Sequence, residues 1–447
     1  MRILFVVHQF LPRYFTGTEQ YVHALGLALA REGHTVEVFT LEPNFAEADR
    51  LFEESSDTID GLAVTRLRVW YHLDADYDRM AWSHPLVGQR FAARLAAARP
   101  DVVHVFHLHH LGIEVLLAAR AARLPVALHL MDFWFLCPNA TLRRADGSLC
   151  SGPPEAGVGC VDCHRPELAA RLAALGVREE LIAFAAHAVP TPPAFRATAE
   201  ACVGFVNRPR ALREALATVE RVFAPSEFLA DTFVANGFPR ARFEVMAYGV
   251  DLDALLPLRA ARDPESAVLR CAFLGSIAEH KGVDLAVDAV LATPGPIELT
   301  VHGRTSDFPD FAAPLVARAA RDPRIRFVGP FHPSERAAVL ANLDVLFVPS
   351  RWYENTPFVI LEAMAAGIVV IASDLGGIRE IVAHEVNGEL AAVGDRDAFA
   401  RALGRLAFDR ERLRRYREAL PTPKSLAFNA RELAAVYGAM LAAGVSR

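Results

Sequence analysis

The sequence predicts an α/β protein of two Rossmann-like β/α/β domains facing across a cleft. Three observations carry this expectation. The chain opens on "RILFVV", an unbroken apolar run rich in branched residues, which leads through a loop and a helix into a second such run, "TVEVFT". A polar stretch at 251–266, "DLDALLPLRAARDPES", is followed by a fresh series of strands and helices. And 447 residues are more than one ordinary core encloses.

Taken in order, 2–7 is a strand buried on both faces, "HQFLPRYFTGTE" a loop, and "QYVHALGLALAREGH" a helix of the right period that closes at Gly33. Strands follow at 35–40, 101–106 and 125–130, with "LGIEVLLAARAAR" as a crossover helix. Residues 137–215 break the rhythm with cysteines, prolines and Ala/Leu/Arg-rich helices, and read as an insertion. Strands at 221–226 and 243–250 end the first half. Beyond the linker, "LRCAFLGSI", "IELTVHG", "IRFVGPF", "DVLFVPS" and "IVVIAS" are strands, separated by helices such as "HKGVDLAVDAVLAT". The expected boundaries are 1–258 with its insertion, 259–425, and a terminal helix at 426–447 packing back on the first domain.

Composition narrows the function classes. Hydrophobic residues at 53% and charged residues at 22% are globular, and a net charge of −6 argues against a nucleic-acid partner held on a broad basic face. No apolar run reaches membrane-spanning length, and "MRILFVVHQF" reads as a first strand rather than a signal peptide. The expectation is a cytoplasmic protein, with peripheral contact at the inner face of a membrane left open. Both "HPLVGQRFAARLAAARP" and "RPELAARLAALGVREELIAFAA" mix apolar residues with arginine, as a surface helix on anionic lipid or a helix packed on its own domain would.

The richest stretch is "PSRWYENTPFVILEAMAAGIVVIASDLGG". Thr356 suits a helix N-cap and Pro357 the first helical position, while Gly367 ends the helix. The start of that helix, after the strand "DVLFVPS", is a place for a phosphate. Glu362 lies about 7.5 Å along the axis from Pro357, a separation suited to a carboxylate holding ribose hydroxyls. Glu354, before the helix, would lie on the other side of the phosphates; a surface glutamate and a helical glutamate paired with a neighbouring base are the plainer readings. Lys281 stands in a loop between strand and helix, where it would neutralise a diphosphate, and Gly17, Gly376 and Gly377 would let backbone approach a ligand.

Together "TGTEQYV", "APSEFL", "YGVD", "LGSIAEHKGVD" and the glutamate stretch resemble glycosyltransferase family 4, the retaining enzymes of GT-B fold, over nearly the whole chain apart from the insertion. The resemblance implies transfer of a sugar from a nucleotide-diphosphate sugar to an acceptor hydroxyl on a glycan or lipid-linked molecule, with no cofactor required for transfer. It implies that Glu354 contacts the donor sugar, Glu362 the ribose and Lys281 the diphosphate, with Asn355, Thr356, Pro357 and Phe358 lining the sugar and phosphate pocket and Gly303 and Phe331 the base pocket. Two departures stand out. Ser276 occupies a position where many relatives carry arginine, so that either Arg304 or Arg351 compensates or the donor is held less tightly. Met131 occupies the histidine position beside Asp132; His129 is the expected catalytic substitute, with a satisfied core histidine as the equal alternative, and His109 and His110 are further candidates. A sugar-nucleotide epimerase and a non-catalytic nucleotide-sugar-binding scaffold are the competing readings. The pairs "DAD" at 74–76 and "DLD" at 251–253 read as solvated loop residues rather than metal ligands.

Cys137, Cys150, Cys160 and Cys163 cluster in the insertion, while Cys202 and Cys271 stand apart. In a protein without a signal peptide a disulfide framework is disfavoured. Four clustered cysteines ending in a two-residue spacer match a closed structural zinc site; reduced buried thiols are the alternative, and "CVDCH" also matches covalent haem attachment.

Overall fold

The computed structural model describes residues 1–44, 51–70, 77–188, 193–261 and 266–445, and the chain divides into two compact units. The first comprises Met1–Pro225, Leu229–Met246 and Ala427–Arg447, the second Ser226–Phe228 and Ala247–Leu426. The chain therefore passes to the second unit at Ala247, ahead of the expected 258, and "YGVD" belongs to the second unit. Asp74 and Asp76 lie outside the described residues. Asp251 and Asp253 are exposed, and the Asp251 carboxylate accepts from the Asp253 N–H at 3.1 Å, a local turn contact.

The first unit holds an eight-stranded sheet: β1 (Arg2–Val6), β2 (Thr35–Asn44), β3 (Glu54–Ile59), β4 (Leu62–Trp70), β5 (Val102–Val105), β6 (Val126–His129), β7 (Arg221–Ala224) and β8 (Phe243–Val245), in the order β3-β4-β2-β1-β5-β6-β7-β8. All pairings are parallel except β3 with β4. That hairpin is absent from the sequence-based expectation, because β3 is wholly polar on its outer edge and carries little of the apolar signal of a buried strand. The helix Gly17–Arg31 ends at Glu32, and Gly33 takes the left-handed conformation that closes it. The insertion has its own small core of Leu172, Ala183, Cys202 and Val203.

The second unit is a six-stranded parallel sheet of β9 (Leu269–Leu274), β10 (Ile297–His302), β11 (Ile325–Phe327), β12 (Val345–Val348), β13 (Val369–Ser373) and β14 (Gly388–Ala391). Its order is β11-β10-β9-β12-β13-β14. The order reverses between β9 and β12, so loops leaving the carboxyl ends of those two strands flank a crevice, the usual ligand position in an open α/β sheet. Aliphatic residues from the strands and from the helices Val283–Ala292 and Phe358–Ala365 fill the layers on either face.

The last helix, Leu426–Val445, packs within the first unit from Ala427 onward. Tyr437, fully buried, hydrogen-bonds to His104 Nδ1, whose Nε2 meets His129 Nδ1 at 2.8 Å, and Tyr21 donates to Asn429 at 2.7 Å. Burial holds His104 well below the usual histidine range, so its ring is neutral. Tyr437→Phe strands the His104 ring nitrogen, and we expect it to lower the unfolding free energy by about 1–3 kcal/mol in urea titration. A variant as stable as the wild type would show that the helix is anchored by apolar contact alone.

Candidate active site

The loop after β12 carries Glu354, and three donors converge on one of its oxygens. Oε1 accepts from Lys281 Nζ at 2.6 Å, Trp352 Nε1 at 2.7 Å and Ser350 Oγ at 2.8 Å. Oε2 accepts none of these bonds. Lys281 leaves the carboxyl end of β9 and lies 4.5 Å from the centre of the Trp352 ring, a cation–π contact. Burial alone would raise the Glu354 pKa, but the Lys281 charge and the three hydrogen bonds outweigh it and hold the carboxyl below its ordinary range. The two expected polar residues, distant in sequence, thus meet at the point where strand order reverses.

Glycines make this meeting possible. Gly282, at φ +69°, follows Lys281 so closely under the next loop that a Cβ would lie 1.9 Å from the Pro349 carbonyl oxygen. A Cβ on Gly377 would lie 1.6 Å from the Asn355 oxygen, and the Gly377 N–H donates to the Glu354 carbonyl at 2.8 Å. Gly376 and Gly377 were expected to admit a ligand; their close approach is instead to the backbone of the glutamate loop. Gly303 is likewise pressed against the loop after β9, since its Cβ would lie 2.1 Å from the Gly275 oxygen.

The helix begins one residue later than expected, at Phe358, with the extended Pro357 as its cap rather than Thr356. Asn355 and Thr356 are buried, and the Phe358 ring stacks on Tyr248 at 4.6 Å. Glu362 pairs with Arg336 at 2.8 Å. Burial pushes Glu362 up from its ordinary value near 4.5 to about 7, only partly opposed by Arg336. Of the two arginines considered against Ser276, Arg351 is engaged elsewhere: it makes two 2.7 Å bonds to Asp284 and one of 2.8 Å to the Glu279 carbonyl. Ser276 and Arg304 are exposed, and Phe331 meets His302 edge-on at 5.5 Å.

In the first unit, Gly17 opens the first helix, behind a capping box in which Glu19 accepts from the Thr16 N–H at 2.8 Å and hydroxyl at 2.6 Å. His129 is corrected by the structure: expected as a catalytic group, it is fully buried in β6, stacked 4.9 Å from His104 and packed on Phe223. The histidine beside Asp132 is His107, Nε2 to Oδ2 at 3.0 Å, with the His8 ring tilted against it, centroids 4.0 Å apart. Both follow β1 and β5, the neighbouring strands where this sheet reverses order. That rule of position, applied to "DVVHVFHLHH", is the signal that would have selected His107 over His109 and His110. His110 is buried and held near 3, a neutral imidazole.

The four insertion cysteines line one cavity of about 830 Å³ in the first unit, together with His164, Arg143 and Arg144. Among the described residues, no three of their sulfurs lie within 4.8 Å of one another.

Fold and site together define a class: an α/β protein of GT-B fold with a lysine–glutamate pair at the switch point of its second sheet. The fold is shared with sucrose-phosphate synthase from Thermosynechococcus elongatus (TM-score 0.65, 18% identity, 99% of both chains). It is shared too with Anabaena Alr3699/HepE in complex with UDP and glucose (TM-score 0.62, 16% identity, 98% of this chain and 100% of that one). Models of two families match, the "Glycosyl transferase 4-like domain" over residues 16–183 and "Glycosyl transferases group 1" over 269–409. The chain belongs to the group 1 glycosyltransferases. It is 29% identical over 222 residues to the amylovoran biosynthesis glycosyltransferase AmsK of Erwinia amylovora, covering 45% of this chain and 53% of AmsK. It is 31% identical over 182 residues to a GDP-mannose-dependent alpha-mannosyltransferase of Mycobacterium tuberculosis, covering 39% of this chain and 45% of that protein. The chain thus spans about half the length of the curated relatives it matches. No described helix is long and apolar enough to cross a membrane.

The raised Glu362 pKa makes a signed prediction. The folded state binds this proton more tightly than the unfolded chain, so the associated stability is complete below about 4.5 and lost as pH rises to about 7. We expect Glu362→Gln to flatten stability against pH across that window in denaturant titrations at several pH values. An unchanged slope would place the titrating group elsewhere.

Proposed function

We propose that the protein is a retaining glycosyltransferase that moves a hexose from a nucleotide-diphosphate sugar to an acceptor hydroxyl during assembly of a cell-surface polysaccharide or glycolipid. The observation that carries this reading is the Glu354 carboxylate, anchored through Oε1 by Lys281, Trp352 and Ser350 while Oε2 takes none of those bonds. An oxygen so held accepts a sugar hydroxyl without first being ordered, and Lys281, partly exposed beside it, meets the negative charge that grows on a departing diphosphate. The positive end of the helix starting at Phe358 adds to that field. In the step itself, the bond from the anomeric carbon to the diphosphate oxygen breaks as the acceptor oxygen bonds to the same face. The acceptor proton passes to the departing diphosphate.

Asn355, Thr356 and Phe358 line the donor pocket in this reading, Glu362 holds the ribose in place of Arg336, and Gly303 and Phe331 border the base. We assign a substrate contact in the first unit to His107, oriented by Asp132, in the role that Met131 cannot fill. The acceptor is a glycan or lipid-linked molecule. Leu175, Leu181 and Phe184, exposed on the insertion, are the apolar edge through which the protein would meet an anionic membrane.

Thermal unfolding with UDP, GDP and ADP and with their glucose, mannose and N-acetylglucosamine conjugates tests the donor site. Binding to the folded state raises the midpoint, with about 2.7 kcal/mol at a ligand concentration of 100 times Kd. We expect one nucleotide class to produce the shift and Glu362→Ala to abolish it. No shift with any of them would sink the reading. For the membrane contact, co-flotation with anionic vesicles at low salt is expected for the wild type and reduced in Phe184→Ser, and a wild type that stays in the soluble fraction removes that part.

A further inference from the structure

We propose that Cys137, Cys150, Cys160 and Cys163 are the four thiolate ligands of a single structural zinc ion that fastens the insertion to the first unit, a role separate from sugar transfer. Four observations converge on it. The four side chains, from three separate segments, all face one cavity, and all four are free thiols. Their segments are built to return to one place. Cys160 and Cys163 lie three apart on one turn of the helix Cys160–His164, hence on the same face. Arg143 and Leu149 form an antiparallel bridge around a turn closed by the Arg144 N–H and Ser148 carbonyl, and the Cys150 N–H returns to the Leu142 carbonyl at 2.7 Å. Cys137 is held by its N–H to the Phe133 carbonyl, also at 2.7 Å.

The third observation is the surrounding packing. Gly152 sits against Asn236, Gly157 against the Phe205 carbonyl and Pro209, and a Cβ at either glycine would collide. The backbone carrying the thiols is therefore seated on the helices and strands of the unit, although only short helical segments and one bridge order it internally. Leu142, Val158 and Val161 seat the segment on the unit, and a metal crosslink would tie its three cysteine-bearing pieces to one another.

The fourth is Arg208. The residue is 2% exposed, has no carboxylate within ion-pair distance among the described residues, and takes its electrostatic partners from Cys137, Cys160 and Asp132. Nη1 has no hydrogen-bond partner among the described residues, while Nη2 donates to the Trp134 carbonyl. A buried cation without a carboxylate is costly unless negative charge arrives beside it. Four thiols bound to one zinc ion release four protons to solvent and leave a centre of net charge −2, which Arg208 adjoins.

No three of the sulfurs lie within 4.8 Å of one another among the described residues, whereas Zn–S bonds of about 2.3 Å impose roughly 3.8 Å in a tetrahedron. Cys137 and Cys160 are buried, but Cys150 and Cys163 are partly exposed and turned to the carbonyls of Gly152 at 2.9 Å and Arg143 at 3.9 Å. Zinc binding would draw all four sulfurs together within that cavity. The same arrangement ties the metal to Asp132, because Trp134 donates its N–H to Asp132 at 2.8 Å and stacks under Arg208 at 5.1 Å.

Elemental analysis of the full chain, purified without added metal, should find about one zinc per chain, released by a mercurial thiol reagent in the presence of a zinc-binding dye. Cys160→Ser and Cys163→Ser should lose most of it, and Cys202→Ala, outside the set, should keep it. If the serine variants do not fold, the wild type still decides: chelation should expose four additional reactive thiols and lower the thermal midpoint. Folded wild type free of metal would overturn the proposal. So would iron with acid-labile sulfide in place of zinc.

Discussion

A carboxylate taken most of the way out of water must be met by charge or surrender its own, and the second unit is arranged around the way Glu354 is met. Its partner Lys281 comes from a different strand, so the pair ties the loop after β9 to the loop after β12. Arg351 ties the same segments again through Asp284 and the Glu279 carbonyl. The backbone approaches that allow both ties depend on Gly282 and Gly377, where any side chain would collide with the opposite loop. Several residues that look separately replaceable are therefore conditions of one ion pair.

The second glutamate shows the opposite resolution of the same constraint. Glu362 has one arginine partner and none of the converging donors that surround Glu354, and burial dominates its titration. Eight positions along one chain, two carboxylates of identical chemistry are held on opposite sides of their ordinary range. The difference lies in the number of donors that tertiary packing brings to each.

Beneath the terminal helix of the first unit, buried polarity is met by hydrogen bonds between rings. His104 bonds to both Tyr437 and His129 beneath the terminal helix, so a histidine-rich strand need not signal catalysis. His107, also buried and only three residues from His104, is distinguished by its place beyond the strand's carboxyl end and by a carboxylate partner. Position in the sheet separates the two imidazoles where residue type cannot.

Much was legible in the chain alone. Apolar runs of branched residues marked the buried parallel strands, the linker marked the restart, and Lys281, Glu354 and Glu362 stood out by their spacing around a helix start. These are local signals, set by neighbours a few residues away. The β3–β4 hairpin escaped because its edge strand is polar, and the boundary at Ala247 because strand pairing, not composition, decides where a chain changes units. Only the tertiary structure could bring Lys281 onto Glu354, bury His129 and seat His107 on Asp132, since each is a contact between residues from different strands. Whether a glycine faces a ligand or another loop, and whether a carboxylate is charged near neutral pH, depends on atoms distant in sequence, whose approach the fold alone supplies.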